Sequence, residues 1–423
     1  MKKALILFGL ILGFAQAQAQ FDKWFEPSTL RVDYVHAGNQ QEAWFAFDEV
    51  LKEPFWGGSK TRLTDDFGYG NYRLEVFDLN SDSLIYSRGY SSLFGEWQTT
   101  LEAKAMSRSF NETVVMPFPK DRVRLVLSAR GSDGIFERQF ELVIDPKSYF
   151  IGPGQRLGYT VSDIEINALP EQAVDIVILP DGYTAAELEK FQADCIAFSN
   201  KLFLFAPFAE NRTKFNIRAV MAPSAESGAD IPAESIWKNT LLSSSFYTFD
   251  SERYCMTYDH KSVRDLAGNA PYDQIYILQN TTKYGGGGIF NFYSLSSSSN
   301  KLSAEIIVHE FGHSFAGLGD EYFDSSTSYN DFYNPAVEPW EPNLTSLVDF
   351  DNKWKHLIGE EIPVPTPPDS AFYNKTGVFE GGGYVAKGIY RPSYDCLMHT
   401  FKGHTFCAAC SEAIVKMINF YAE

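Results

Sequence analysis

Lys301-Leu-Ser-Ala-Glu-Ile-Ile-Val-His-Glu-Phe-Gly-His-Ser-Phe-Ala316 carries two rows of residues at helical spacing. Leu302, Ile306, His309 and His313 recur at i, i+4, i+7 and i+11, while Val308, Phe311 and Phe315 lie on another face. The spacing predicts a helix over 301–316, with N-cap candidates in the Ser/Asn run before it. Imidazoles one turn apart on a helix face can grip a single ion, so His309 and His313 are candidate metal ligands. Glu310 stands beside the first of them. There its carboxylate can take a proton from a metal-activated water and hand it to a leaving amine. Zn2+, one per chain, is the ion this donor set predicts. The bland alternative is two core histidines beside an unrelated glutamate, and the placement of the string on an amphipathic helix argues against it.

Catalytic zinc takes three protein ligands and keeps one open position, so a third ligand is needed. Gly317-Leu-Gly-Asp-Glu-Tyr322 follows the helix directly. Were the helix to continue, Asp320 would stand about 16 Å beyond His309 along the axis, too far to share its ion. A glycine at a helix end admits the left-handed turn that stops it, so Gly317 can send the chain back under the metal. Asp320 is then the expected third ligand and Glu321 its rival. The alternative for the pair is a solvated turn.

Gly285 to Gly288 open onto Ile289-Phe-Asn-Phe-Tyr293, read as an aromatic strand. This segment is either an edge strand beside the cleft, able to pair with an extended peptide, or a flexible loop before an ordinary strand. Near the C-terminus, Cys396, His399, Cys407 and Cys410 show CxxH and CxxC spacing that could hold a structural zinc. A disulfide from Cys396 to Cys407 or Cys410 competes with that reading in an oxidising compartment. His399 and His404 are candidate substrate contacts. Tyr390 and Arg391 could stabilise an oxyanion or serve the fold.

Working outward, residues 27–146 alternate with period two at Arg73-Leu-Glu-Val76, Arg122-Val-Arg-Leu125 and Phe136 to Ile144, with turn clusters between. No helix is expected there, and the pattern predicts an antiparallel β-sandwich over residues 20–150. Gly152-Pro-Gly154 reads as a linker. Beyond it, Val174-Asp-Ile-Val-Ile-Leu179 has the continuous apolar character of a strand buried on both faces. Thr184-Ala-Ala-Glu187 is a capping box opening a helix to about Phe205, and strands are expected near 215–221 and 272–279. Residues 151–423 are therefore read as an α/β or α+β domain carrying the metal motif, with a proline-rich loop in the 360s.

Residues 1–19, with Lys2 and Lys3 before an apolar run and then Ala15-Gln-Ala17-Gln-Ala19, have the form of a secretory signal peptide. The chain is expected to be exported, to a periplasm, the cell surface or beyond, with no membrane span. With 54 acidic against 36 basic residues it carries a formal charge of −18, so nucleic acid is a poor partner. Its 44% hydrophobic content fits folded globular domains rather than disorder. The sequence does not indicate an oligomeric state.

A helical HExxH, a glycine turn, a third ligand and a downstream methionine resemble the metzincin clan, in which Met398 would be the methionine of the turn beneath the metal. The usual clan spacing would put Gly and His where this chain has Ala316 and Gly319. The closer resemblance is to the bacterial IgA peptidase family of metzincin-like enzymes. It rests on Val174 to Thr184, His309 to Tyr322, Glu380-Gly-Gly-Gly-Tyr-Val-Ala-Lys-Gly-Ile-Tyr-Arg-Pro392, Asp395-Cys-Leu-Met398 and Phe406-Cys-Ala-Ala-Cys-Ser-Glu-Ala-Ile414. The resemblance implies a β-sandwich ahead of a metzincin-like zinc peptidase domain, with His309, His313 and Asp320 on the metal and Glu310 as general base. It implies an exported endopeptidase acting on extracellular proteins or glycoproteins, without implying immunoglobulin A as substrate. A catalytically silent peptidase-like binding protein and a zinc hydrolase of a non-peptide amide are the other function classes open to this sequence.

Overall fold

The computed structural model describes residues 20–154, 157–323 and 333–422, so the signal-peptide reading of 1–19 lies outside the described residues. Eight strands come first: β1 (Phe25–Gly38), β2 (Ala43–Glu53), β3 (Tyr72–Asp78), β4 (Leu84–Tyr90), β5 (Arg108–Pro119), β6 (Val123–Arg130), β7 (Phe136–Ile144) and β8 (Gly152–Pro153). They form two four-stranded sheets, ordered β5-β1-β2-β8 and β4-β3-β6-β7. All pairings are antiparallel except β2 with β8. Leu30, Val32, Val114 and Met116 from one sheet share a core with Leu74, Val76, Leu125 and Leu127 from the other. Period two in the sequence thus reports a half-buried sheet, as β3 shows with Tyr72, Leu74 and Val76 inward.

Two features correct the sequence reading. Short helices α1 (Leu93–Trp97) and α2 (Leu101–Ala105) interrupt the strands, capped by the side chains of Ser92 and Thr100. Each is too short to display a 3.6-residue period, which is why none was expected. The supposed linker is docked: Gly152 and Pro153 pair with Leu51 and Lys52 as β8.

The second sheet system contains β9 (Val161–Glu165), β10 (Val174–Asp181), β11 (Phe215–Val220), β12 (Gln274–Gln279), β13 (Gly286–Gly288) and β14 (Tyr293–Ser297), ordered β13-β14-β12-β10-β11-β9. The four central strands are parallel and the two edges antiparallel. Every residue of β10 is buried, as its apolar run predicts. Helices α3 (Leu188–Leu202), α5 (Ser303–Ala316) and α6 (Ala408–Ala422) pack with one face of this sheet through Phe198, Phe311, Phe315 and Ile414. Helix α4 (His260–Ala267) packs with the other through Val263 and Leu266. A hairpin of β15 (Phe379–Gly382) and β16 (Val385–Arg391) follows.

The Thr184–Glu187 capping box is present, opening a 3-10 turn before α3 begins at Leu188 and ends at Leu202. For α5 the Ser/Asn run supplies no side-chain cap at Leu302. Asn300 instead accepts the Leu302 amide at 2.9 Å. The aromatic run is also corrected, since the glycines form β13 and the next strand starts only at Tyr293.

The β-sandwich and the α/β unit meet across a buried polar seam. Arg31, only 1% exposed, pairs with Asp33 and with Asp265 of α4, each at 2.6 Å, and Arg264 Nε donates to Thr113 Oγ1 at 2.9 Å. This seam explains why β1 is buried on both faces instead of alternating. It also brings α1 of the sandwich up to the cleft described next.

Candidate metal centre

Helix α5 presents His309 and His313 with their Nε2 atoms 3.2 Å apart. Their Nδ1 atoms face backbone carbonyls, of Leu397 at 2.9 Å and of Leu318 at 2.6 Å. With Nδ1–H donated to a carbonyl, each Nε2 lone pair is left for a ligand. Gly317 ends the helix with φ 64°, its amide reaching His313 O at 3.1 Å, and Leu318 N donates to Gly312 O at 3.1 Å. That reversal is the turn the sequence predicts, and it returns Asp320 to the histidines. Asp320 Oδ1 lies 3.1 Å from His309 Nε2 and 3.4 Å from His313 Nε2.

These three distances have a common meaning. Ligand atoms bound at about 2.0–2.1 Å to one tetrahedral ion stand about 3.3–3.4 Å apart, so the triangle has the dimensions of three tetrahedral corners. Asp320 Oδ1 is buried with no hydrogen-bond donor, whereas Oδ2 accepts from Tyr322 OH at 2.9 Å and from Tyr384 OH. One oxygen is therefore fixed and the other is offered to the imidazoles. Burial opposes charge on His313, but the Asp320 carboxylate outweighs it and pushes the imidazole up to about 9. Asp320 itself is held well below the usual carboxylate range, against its own burial, chiefly by His313. A site with that electrostatic bias attracts a cation, and its donors suit a metal ion.

Glu310 follows His309 on the same helix and its carboxyl is raised by burial, against the pull of His309 and His313. The glycines of β13 lie directly over this part of α5. A Cβ on Gly286 would stand 3.0 Å from Glu310 Cγ, and one on Gly288 would stand 2.4 Å from Glu310 O. The glycine run is a close approach of strand to helix. Its outer edge is taken at Gly286, where the amide donates to Arg253 O at 3.1 Å and the carbonyl accepts from Cys255 N at 3.1 Å. The open edge expected for a peptide is correspondingly shorter.

His309, Glu310, His313 and Asp320 line a cleft of about 910 Å³ that is also lined by Arg253, Tyr254, Tyr284 and Glu96. Glu96 comes from α1 and accepts from Tyr254 OH; burial pushes its carboxyl up to about 7. Arg253 Nη2 donates to Tyr322 OH at 3.1 Å. Sequence reading did not find Tyr322, Tyr384, Arg253 or Glu96. Tyr322 adjoins the acidic pair and Tyr384 lies in a quoted glycine-rich segment, but Arg253 and Glu96 have no local signal.

The remaining candidates separate. Glu321 turns away from the histidines: its Oε1 accepts from Asn343 Nδ2 at 3.0 Å and lies 3.2 Å from Cys410 Sγ. Met398 is buried in a tight turn, and a Cβ on Gly312 would lie 3.1 Å from its sulfur. That turn holds the Leu397 carbonyl on His309. His399 lines the cleft, whereas His404 pairs with Glu305 at 3.0 Å. Arg391 is buried and braces the hairpin by donating to Glu380 O at 3.1 Å, and Tyr390 N bonds Thr345 O at 2.8 Å. Those two serve the hairpin that carries Tyr384.

The family described as IgA Peptidase M64 matches residues 164–376 and 368–418, and its companion, Peptidase M64 N-terminus, matches residues 20–141. No curated protein matches the chain. The two family matches meet the sandwich on one side and the cleft-bearing unit on the other, and the chain belongs to the IgA peptidase M64 family.

Proposed function

We propose that this protein is an exported zinc metallopeptidase, an endopeptidase that hydrolyses peptide bonds of extracellular proteins or glycoproteins. In this reading residues 20–150 form the supporting β-sandwich and 151–423 the metzincin-like catalytic domain. The observation that carries it is the triangle of His309 Nε2, His313 Nε2 and Asp320 Oδ1, with sides of 3.1–3.4 Å and a buried, donorless carboxylate oxygen. His309, His313 and Asp320 would hold the zinc. When bound, that ion supplies Lewis acidity to the scissile carbonyl and acidifies a neighbouring water.

The chain's own groups do the rest. Glu310 takes a proton from the attacking water and passes it to the departing amide nitrogen. Burial raises its carboxyl above the ordinary carboxylate value, which strengthens it as a proton acceptor. Tyr322 and Tyr384 hold Asp320 in place. Arg253 lines the cleft as a cation and can receive the oxyanion. The cleft, at about 910 Å³, has room for several residues of an extended chain.

Digestion of a casein and mucin panel by wild type and by Glu310→Ala tests the reading. Wild-type cleavage abolished in the variant is expected, with rates falling about 10²–10⁴-fold and zinc content unchanged. Equal inertness of both proteins, together with retained binding of one panel component, would identify a silent scaffold instead.

A further inference from the structure

Glu321, Cys396, Cys407 and Cys410 bring one carboxylate oxygen and three sulfurs within 4.8 Å of one another. We propose that these four residues form a second zinc site, closed and structural, beside the catalytic one. It is distinct in donors, since it shares no ligand with His309, His313 and Asp320.

Distances favour a metal over a disulfide. Cys396 Sγ lies 3.8 Å from Cys410 Sγ, whereas a disulfide bond is about 2.05 Å long. Two thiolates on one tetrahedral zinc, each at about 2.3 Å, stand about 3.8 Å apart. Cys410 Sγ is 3.2 Å from Glu321 Oε1, close to a sulfur–oxygen edge of the same tetrahedron. A single disulfide would also strand the third thiol of the cluster.

The carboxylate is the second, independent observation. Glu321 is 0% exposed and its Oε2 has no hydrogen-bond partner. Burying a carboxylate among thiols is unfavourable unless a cation joins it. Arg391 is buried nearby, yet its guanidinium donates to the carbonyls of Glu380 and Gly381. Two backbone amides aim at the sulfurs, Cys407 N at Cys396 Sγ (3.3 Å) and Cys410 N at Cys407 Sγ (3.5 Å). Such donors favour thiolate over thiol. Among the described residues, His399, the fourth ligand that CxxH spacing suggests, instead faces Tyr394 O through Nδ1 at 3.1 Å.

Binding needs no redox partner: each thiol yields its proton to solvent as its sulfur–zinc bond forms, and Glu321 binds as the carboxylate. The site ties together three parts of the first one. Glu321 adjoins Asp320 in the chain, and its amide donates to Met398 O at 2.7 Å. Cys396 precedes Leu397, whose carbonyl orients His309. Cys407 and Cys410 anchor both to the start of α6.

The full-length protein, with His309→Ala/His313→Ala to empty the first site, isolates the second. Elemental analysis should find one zinc per chain in that variant and none once Cys407→Ser/Cys410→Ser is added. Misfolding of the cysteine variant would also lose zinc, so cobalt loading of the histidine variant supplies a second readout. A sulfur-to-cobalt charge-transfer band is expected, along with three thiols that alkylate only after chelation. Absence of metal from the histidine variant, or a cobalt spectrum without that band, overturns the proposal. So does an intact mass showing a cysteine pair oxidised. Wild type holding one zinc that the histidine variant keeps and the cysteine variant loses would support this site and count against the proposed catalytic one.

Discussion

Adjacent carboxylates, Asp320 and Glu321, face opposite ways, one toward two imidazoles and the other toward three thiols. The sequence presents them as rivals for one role. What separates them is their partners: Asp320 Oδ1 lies 3.1 Å from His309 Nε2, whereas Glu321 Oε1 accepts from Asn343 Nδ2 at 3.0 Å. Asp320 owes its orientation to two phenols on Oδ2. Removing one in Tyr384→Phe should weaken zinc binding about 10–100-fold, measured by chelator competition, because the free oxygen then loses its fixed direction. The pH dependence follows from Glu310. The reaction needs its carboxylate, and burial raises its pKa, so activity should rise with pH through a point above the usual carboxylate range. A kcat/KM profile with its acid limb in the ordinary carboxylate range would contradict that assignment.

At the scale of elements, the approach of β13 to α5 and the stop at Gly317 set the geometry. Gly317 has φ 64°, and a Cβ there would lie 2.9 Å from Trp340. Gly317→Ala should cost about 1 kcal/mol or more in chemical denaturation, with reduced zinc retention as Asp320 shifts. The helix and its stop were legible because a 3.6-residue period and a terminal glycine are local signals. Helices α1 and α2 were not, being shorter than the window in which a period can appear. The glycine run was open to two readings, an edge strand or a flexible loop, with the strand expected on the aromatic residues after it, whereas the edge strand is Gly286–Gly288 itself. Its reason, the closeness of Glu310 beneath it, required both elements to be in place.

Across the whole molecule, the β-sandwich reaches the cleft through Glu96. Its pKa is raised from 4.5 to about 7 by burial, so the protonated form is the one the fold prefers. The associated stability is complete below pH 4.5 and is lost as pH rises through about 7. Glu96→Gln cannot ionise. In the metal-free protein, urea midpoints of the variant should therefore vary less than wild type over that window, and the variant should be the more stable above pH 7. Equal pH dependence would show that Glu96 is solvated. The buried Arg31 seam that docks α4 on the sandwich was likewise invisible beforehand, because its partners are far apart in the chain.

The sequence by itself determined the period-two and apolar segments, the metal-motif helix with His309, Glu310 and His313, its glycine stop and the acidic pair Asp320-Glu321 after it, since each depends on neighbours within a few positions. Only the tertiary structure decided which carboxylate faces the histidines, and which residues from other elements complete the cleft: Tyr384, Arg253 and Glu96. It also gathered Glu321 with Cys396, Cys407 and Cys410. Those groupings depend on how a six-stranded sheet, its flanking helices and a packed sandwich bring distant segments within a few ångströms, and no local pattern encodes that.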